Sequence, residues 1–224
     1  MPPVLGRELP PWARGEALSR LERLKTFLER LVDRFFEERE AARIKEYLRK
    51  RLDGAREILL HADARVASVR RLAENAYTLT MISSRAAGKP LLLAPRYTKT
   101  LEGGVRLVPP RAEEVYTVEV GPYALKCTCP DSIYTAARAD QVLARLGFPP
   151  QAYKYTLCKH VLAGLALLWA MNLIDPTKPP LDEALLRALV TVYLATLPRG
   201  SKPRVSRIAL VYTRGEGGAP LTAN

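Results

Sequence analysis

The sequence predicts an α+β fold: a small antiparallel sheet with a ββα-like site, an N-terminal amphipathic helix and C-terminal helices. Three observations carry this. Apolar residues recur every three or four positions up to about Leu52, the mark of helix. From Ala76 the period shortens toward two, and β-branched and aromatic residues gather, the mark of strand. All three cysteines and one of the two histidines then fall in two tight pairs, one closing a strand and one opening an apolar helix. With 224 residues, 48% of them hydrophobic and 26% charged, the chain can bury a real core and is not compositionally disordered.

Along the chain, Leu21, Leu24, Leu28, Leu31 and Phe35 step by three and four and form one apolar stripe. Arg23, Arg30 and Arg34 then share one flank, with Glu22, Glu29 and Asp33 roughly opposite them. Ala41, Ile44, Leu48 and Leu52 continue the helix or follow a kink near Glu38 to Glu40, and Asp53-Gly54 reads as a stop. A short helix from Ala55 to Ala62 completes an N-terminal helical region, residues 1–62, and Arg65 to Leu72 stays open between helix and strand.

Strands follow at Ala76 to Ile82, Pro90 to Tyr97, Val115 to Val120 and Tyr123 to Cys127, joined by turns at Ser83 to Gly88, Glu102-Gly103-Gly104 and Gly121-Pro122. Helices are expected at Asp131 to Leu146, Lys159 to Asn172 and Leu181 to Leu197. The metal-binding domain therefore spans residues 63–178, with an insert at 130–157, and residues 179–224 add a helix and a basic tail with an edge strand at Ile208 to Tyr212.

Lys and Arg number 35 against 23 Asp and Glu, a net charge of +12 that favours an anionic partner, DNA or RNA before an acidic protein surface. A basic but inert surface is the bland alternative. The N-terminal MPPVLGRELPPW lacks a secretory pattern, and the longest apolar run, Val161 to Ile174, falls short of the roughly 18 residues a membrane span needs. A cytoplasmic protein without membrane contact is expected. Three cysteines there cannot all pair, so their spacing is read first as chemistry.

That spacing is Cys127-Thr128-Cys129 and Cys158-Lys159-His160. Zinc takes four such ligands in a tetrahedron, and thiolate with imidazole is its usual structural set. A hairpin end supplies one pair and a helix start the other, where first-turn N–H groups can stabilise thiolate. Three buried cysteines beside a solvated histidine would be the alternative without metal. Lys126 and Lys159 flank the ligands and suit the net charge of −1 that Zn²⁺ with three thiolates would carry.

Tyr116-x-Val118-x-Val120, Cys127-Thr128-Cys129-Pro130-Asp131 and Cys158-Lys159-His160-Val161-Leu162-Ala163 together resemble a SWIM-type zinc finger, whose pattern is Cys-x-Cys, a variable spacer, then Cys-x-His. The resemblance covers about Ala76 to Asn172. It implies a ββα-like module of the kind found in DNA-associated and protein-interaction settings, among them transposases, helicases and Shu-type recombination mediators that partner RecA-like proteins. The spacer, residues 130–157, is longer than most members carry, so something is inserted between the pairs.

The insert interleaves cations and aromatics: Tyr134, Arg138 and Arg145 on a helix, then Tyr153-Lys154-Tyr155. Such residues stack on bases and pair with phosphates, or else form a local core that shields the metal. If the segment is extended, Tyr153 and Tyr155 share one face and Lys154 takes the other. Four protein ligands leave no open position for catalysis, and there is no nucleotide-binding glycine loop, paired carboxylate or second Cys/His dyad; His61 is read as a partly buried structural residue. The expected function is a non-enzymatic zinc module in nucleic-acid transactions, without a small-molecule substrate, binding DNA or serving a RecA-like recombinase. A protein adaptor that uses the Leu21 to Phe35 stripe is the alternative.

Overall fold

A computed structural model of the chain describes residues 11–83, 96–99, 105–108 and 115–198, with 200, 201, 203 and 208 beyond them. Helix α1 (Pro11–Phe35) buries Ala17, Leu21, Leu24, Leu28 and Val32, while Leu31 and Phe35 are only partly covered. The stripe thus follows the 3.6-residue period and ends on Val32 and Phe36, one position along from the expected pair. The helix breaks at Phe36-Glu37, just ahead of the expected kink. Glu37 and Glu40 form a reciprocal capping box there, with the Glu37 N–H donating to Glu40 Oε2 at 3.1 Å, and α2 (Glu38–Leu60) starts afresh.

Helix α2 runs straight through Asp53-Gly54 and absorbs the short helix expected at Ala55 to Ala62. Its glycine has a tertiary cause: a Cβ on Gly54 would lie 2.9 Å from Cδ of Lys159. His61 is exposed at the junction with α3 (Ala62–Arg65) rather than partly buried. The ambiguous segment is strand β1 (Val66–Ala73), which turns through Asn75, at φ +55° the kind of residue that tolerates the left-handed region, into β2 (Ala76–Ile82).

A separate antiparallel pair, β3 (Arg96–Lys99) and β4 (Val105–Val108), precedes β5 (Val115–Gly121) and β6 (Ala124–Cys127). The expected turns at Ser83 to Gly88 and Glu102 to Gly104, most of the strand expected at Pro90 to Tyr97, and the edge strand apart from Ile208, itself buried and helical, lie outside the described residues. The main sheet runs β1-β2-β5-β6, antiparallel throughout. β1 is its outer strand: register shifts fall at Val66/Ser68 and Arg71/Ala73, and Arg70 and Arg71 are exposed.

Helix α4 (Pro130–Arg145), a 3₁₀ turn at Ala152–Lys154, α5 (Lys159–Ala170) and α6 (Leu181–Thr196) complete the chain. α5 is the central strut. Val161 to Leu168 are all buried, against β2 and β5 on one side, where a Cβ on Gly164 would sit 3.4 Å from Leu79, and against α1 and α2 on the other. Such an all-round apolar helix belongs in the middle of a protein. Buried residues of α1, α2, the sheet, α5 and α6 form one continuous core. Among the described residues no helix is long and apolar enough to cross a membrane.

Candidate metal centre

The β5–β6 hairpin delivers Cys127 at the last position of β6, and Cys129 follows as the N-cap of α4. Between them Thr128 is tied back to β5: its N–H donates to the Thr117 carbonyl at 3.0 Å, and its Oγ1 accepts from the Thr117 N–H at 2.9 Å. Cys158 is the N-cap of α5, and His160 lies in that helix's first turn. Both sequence pairs thus start helices, where unpaired N–H groups favour negative sulfur.

The four side chains are buried, and one ligand atom from each lies within 4.8 Å of all the others. A tetrahedral zinc with Zn–S bonds near 2.3 Å needs sulfurs roughly 3.8 Å apart, so these residues can close on one ion. Both His160 ring nitrogens are buried without a hydrogen-bond partner, and a metal would satisfy one of them. The His160 ring packs against Tyr116, centroids 4.8 Å apart. Cysteine, cysteine, cysteine and histidine form a plausible metal site by geometry and donor chemistry alike.

The three thiols polarise one another. Cys129 is held far below the usual thiol range by hydrogen bonds from Cys127 and then Cys158. Cys127 is raised, first by its hydrogen bond to Cys129, and Cys158 is raised, first by burial and then by its two neighbours. A divalent ion reverses that balance and deprotonates the set.

Hydroxyls brace the hairpin behind the ligands. The Cys127 N–H donates to Ser132 Oγ at 3.3 Å, and Ser132 Oγ lies 2.5 Å from Thr156 Oγ1 in a fully buried pair. The Thr156 N–H donates to the Leu125 carbonyl at 2.6 Å. Lys126 does not serve as a free counter-charge, since it pairs with Glu119 at 3.0 Å, and the stem of Lys159 packs over Gly54.

Sequence spacing offered no partner for a second group around the site. Tyr47 and Arg51, one turn apart on α2, meet Thr135 and Asp131, one turn apart on α4. Arg51 donates from Nη2 to Asp131 Oδ1 at 2.6 Å and from Nε to Oδ2 at 3.3 Å, and Tyr47 Oη lies 3.0 Å from Thr135 Oγ1. The guanidinium lies 3.7 Å from the centroid of the Tyr47 ring. Burial, followed by the Asp131 charge, pushes the Tyr47 phenol up to about 12, so it stays neutral. The two i,i+4 spacings are visible in the sequence, but nothing in it pairs them.

The residues expected to contact nucleic acid separate into groups. Arg23, Arg30 and Arg34 are all exposed on the outer face of α1. None of the three is in an ion pair among the described residues, although Arg30 donates to the Thr26 carbonyl and Arg34 lies over Phe35. Arg14, Arg20, Lys45, Arg49, Lys50 and Arg51, in contrast, all pair with carboxylates. Arg138 donates to the Leu197 carbonyl at 2.9 Å and so finishes α6, while Arg145 is exposed in the last turn of α4.

Tyr153 and Tyr155 do not share a face. Asp140 accepts the Ala152 N–H at 2.8 Å and curls the segment into its 3₁₀ turn, so the extended alternation fails. Tyr155 is buried, its hydroxyl accepting from Arg187 Nη1 at 2.9 Å, which matches the local-core alternative. Tyr153 stays half-exposed on the rim of an open cleft of about 440 Å³ between the β5–β6 hairpin and α4, and the Lys154 ammonium lies 5.9 Å from its ring centroid. Compared with known proteins, the chain matches no family model, no curated protein and no solved structure.

Proposed function

We propose that the chain is a zinc-stabilised module that binds nucleic acid through the outer face of α1 while its Cys₃His centre is structural. One observation carries this reading: Arg23, Arg30 and Arg34 stand exposed on one face and in no ion pair among the described residues, whereas Arg14, Arg20, Lys45, Arg49, Lys50 and Arg51 are paired. At 3.6 residues per turn these three and the exposed Trp12 fall within ~40° of one another, and the one carboxylate between Trp12 and Arg23 on that stripe, Glu16, is paired with Arg20. Four protein ligands leave zinc no open coordination position, which supports binding rather than catalysis.

Membership of the SWIM-type fingers and an accessory role beside a RecA-like recombinase are proposals that rest on the Cys-Thr-Cys-Pro-Asp and Cys-Lys-His signatures. The adaptor reading loses its chosen surface, because the apolar stripe of α1 is consumed in the core.

The test is the salt dependence of duplex and single-strand binding by the wild type and by Arg23→Gln/Arg30→Gln/Arg34→Gln. For every phosphate that an arginine no longer neutralises, the slope of log K against log salt should flatten by about 0.9 on duplex DNA. A wild-type chain that binds no nucleic acid at low salt ends the reading.

A further inference from the structure

The clamp between α2 and α4 has no role in the ligand set itself, yet it ends two residues from Cys129. We propose that Arg51 is a positioning residue for the metal centre: it holds the start of α4, and with it the Cys129 sulfur, in register for the ion, and it couples metal binding to docking of the α1–α2 hairpin. This rests on the reading of Cys127, Cys129, Cys158 and His160 as zinc ligands.

Geometry comes first. Cys129 is the N-cap of α4 and Asp131 lies in that helix's first turn, so the rotation of this turn sets where the sulfur points. Arg51 grips both Asp131 oxygens at 2.6 and 3.3 Å, and Tyr47 reaches the next turn at Thr135, 3.0 Å away. Two contacts one helical turn apart on each partner fix both the position and the roll of α4. A fork-shaped guanidinium does this where a single ammonium cannot.

Charge is the second argument. Zinc with three thiolates carries −1, and Asp131 adds another negative charge beside it. The guanidinium cancels the carboxylate and leaves the centre no more negative than its ligands make it. Arg51 is only about a quarter exposed, with a side-chain relative accessibility of 23%, so water screens it incompletely. Groups that hydrogen-bond a metal's ligands directly are typically worth 10- to 100-fold in affinity, and Arg51 acts at one remove, through Asp131.

The experiment measures zinc affinity by chelator competition, and the melting temperature with and without zinc, for the wild type, Arg51→Met and Arg51→Lys. Arg51→Met should bind zinc 10- to 100-fold more weakly, and the rise in melting temperature that zinc produces should shrink. Arg51→Lys keeps the charge without the fork and should fall between. A residue that merely packs would lower both melting temperatures together and leave the zinc-induced rise as it was, and that result overturns the proposal. If Arg51→Met does not fold, Arg51→Lys decides alone, and wild-type affinity with a wild-type rise again overturns it. A wild-type chain that takes up no zinc refutes the ligand assignment instead, which is a different failure.

Discussion

The α1–α2 hairpin and the segment from Ala124 to His160 are held together by different means. In the hairpin, Leu21, Leu24, Leu28, Ile44, Leu48 and Ile58 are all buried, and each covered aliphatic side chain contributes about 1.5–3 kcal/mol of burial free energy. In the other segment α4 buries only two alanines and Leu143 among its apolar residues, and the chain ends are gathered by four ligand atoms, a buried hydroxyl pair and Asp140. Distributed burial tolerates the truncation of any one side chain. Convergent ligands would not, because each of the four would be needed to complete the same ion.

Removing the metal, by chelation or by Cys158→Ser, is the strongest way to break this contrast. Structural zinc is worth on the order of 10 kcal/mol in small fingers. Here amide exchange should lose protection from Ala124 to Tyr155 first, while the middle of α5, anchored by the sheet and the hairpin, stays protected with α1 and α2. Simultaneous loss of protection along the whole chain would show that the two regions do not differ.

A cavity in the hairpin tests the converse. Leu28→Ala should cost about 2–5 kcal/mol in denaturant unfolding while zinc content stays at one per chain. A variant that loses its metal in the native baseline would show that the hairpin core and the centre form one cooperative device.

Within the insert, Tyr155→Ala should destabilise by about 3 kcal/mol, because it empties a buried site and strands Arg187. Tyr153→Ala should leave melting unchanged to within ~0.5 kcal/mol, as exposed substitutions usually do. Equal effects of the two would contradict the 3₁₀ turn that separates them.

A similarly small effect, the balance of two opposed terms, is expected at Gly54→Ala. Alanine gains up to ~1 kcal/mol of helix propensity over glycine, but its Cβ must displace the Lys159 stem, which lies 2.9 Å away. A net change below about 1 kcal/mol in melting experiments is expected, and a large loss would mean that the approach of α2 to α5 is rigid.

What the sequence made legible divides along the same line. Helices and strands followed from periodicity, since burying one face imposes a repeat, and the gathering of Cys127, Cys129, Cys158 and His160 followed from their paired spacing. Contacts set by distant partners were opaque. Gly54 looked like a helix stop because its reason, Lys159, lies far along the chain. Tyr155 stayed open between a stacking surface and a local core because Asp140, not the local sequence, curls its segment. Arg138 looked like a free cation, though its guanidinium closes the end of α6. Leu31 and Phe35 were placed in the core by a period slightly shorter than the helix's own, which is why burial drifts to Val32 and Phe36.

The outer strand β1 bears on how this protein meets copies of itself. An eight-residue strand at the margin of a sheet offers its backbone as a template on which another chain can grow. Here the register shifts at each end leave regular pairing only from Ser68 to Arg71, and two of those four residues are arginines whose side chains project to opposite faces. A second molecule that added its own β1 would bring like charges together above and below the seam and would meet a bent ladder at either end. A bent and positively charged edge of this kind opposes edge-to-edge growth of the sheet.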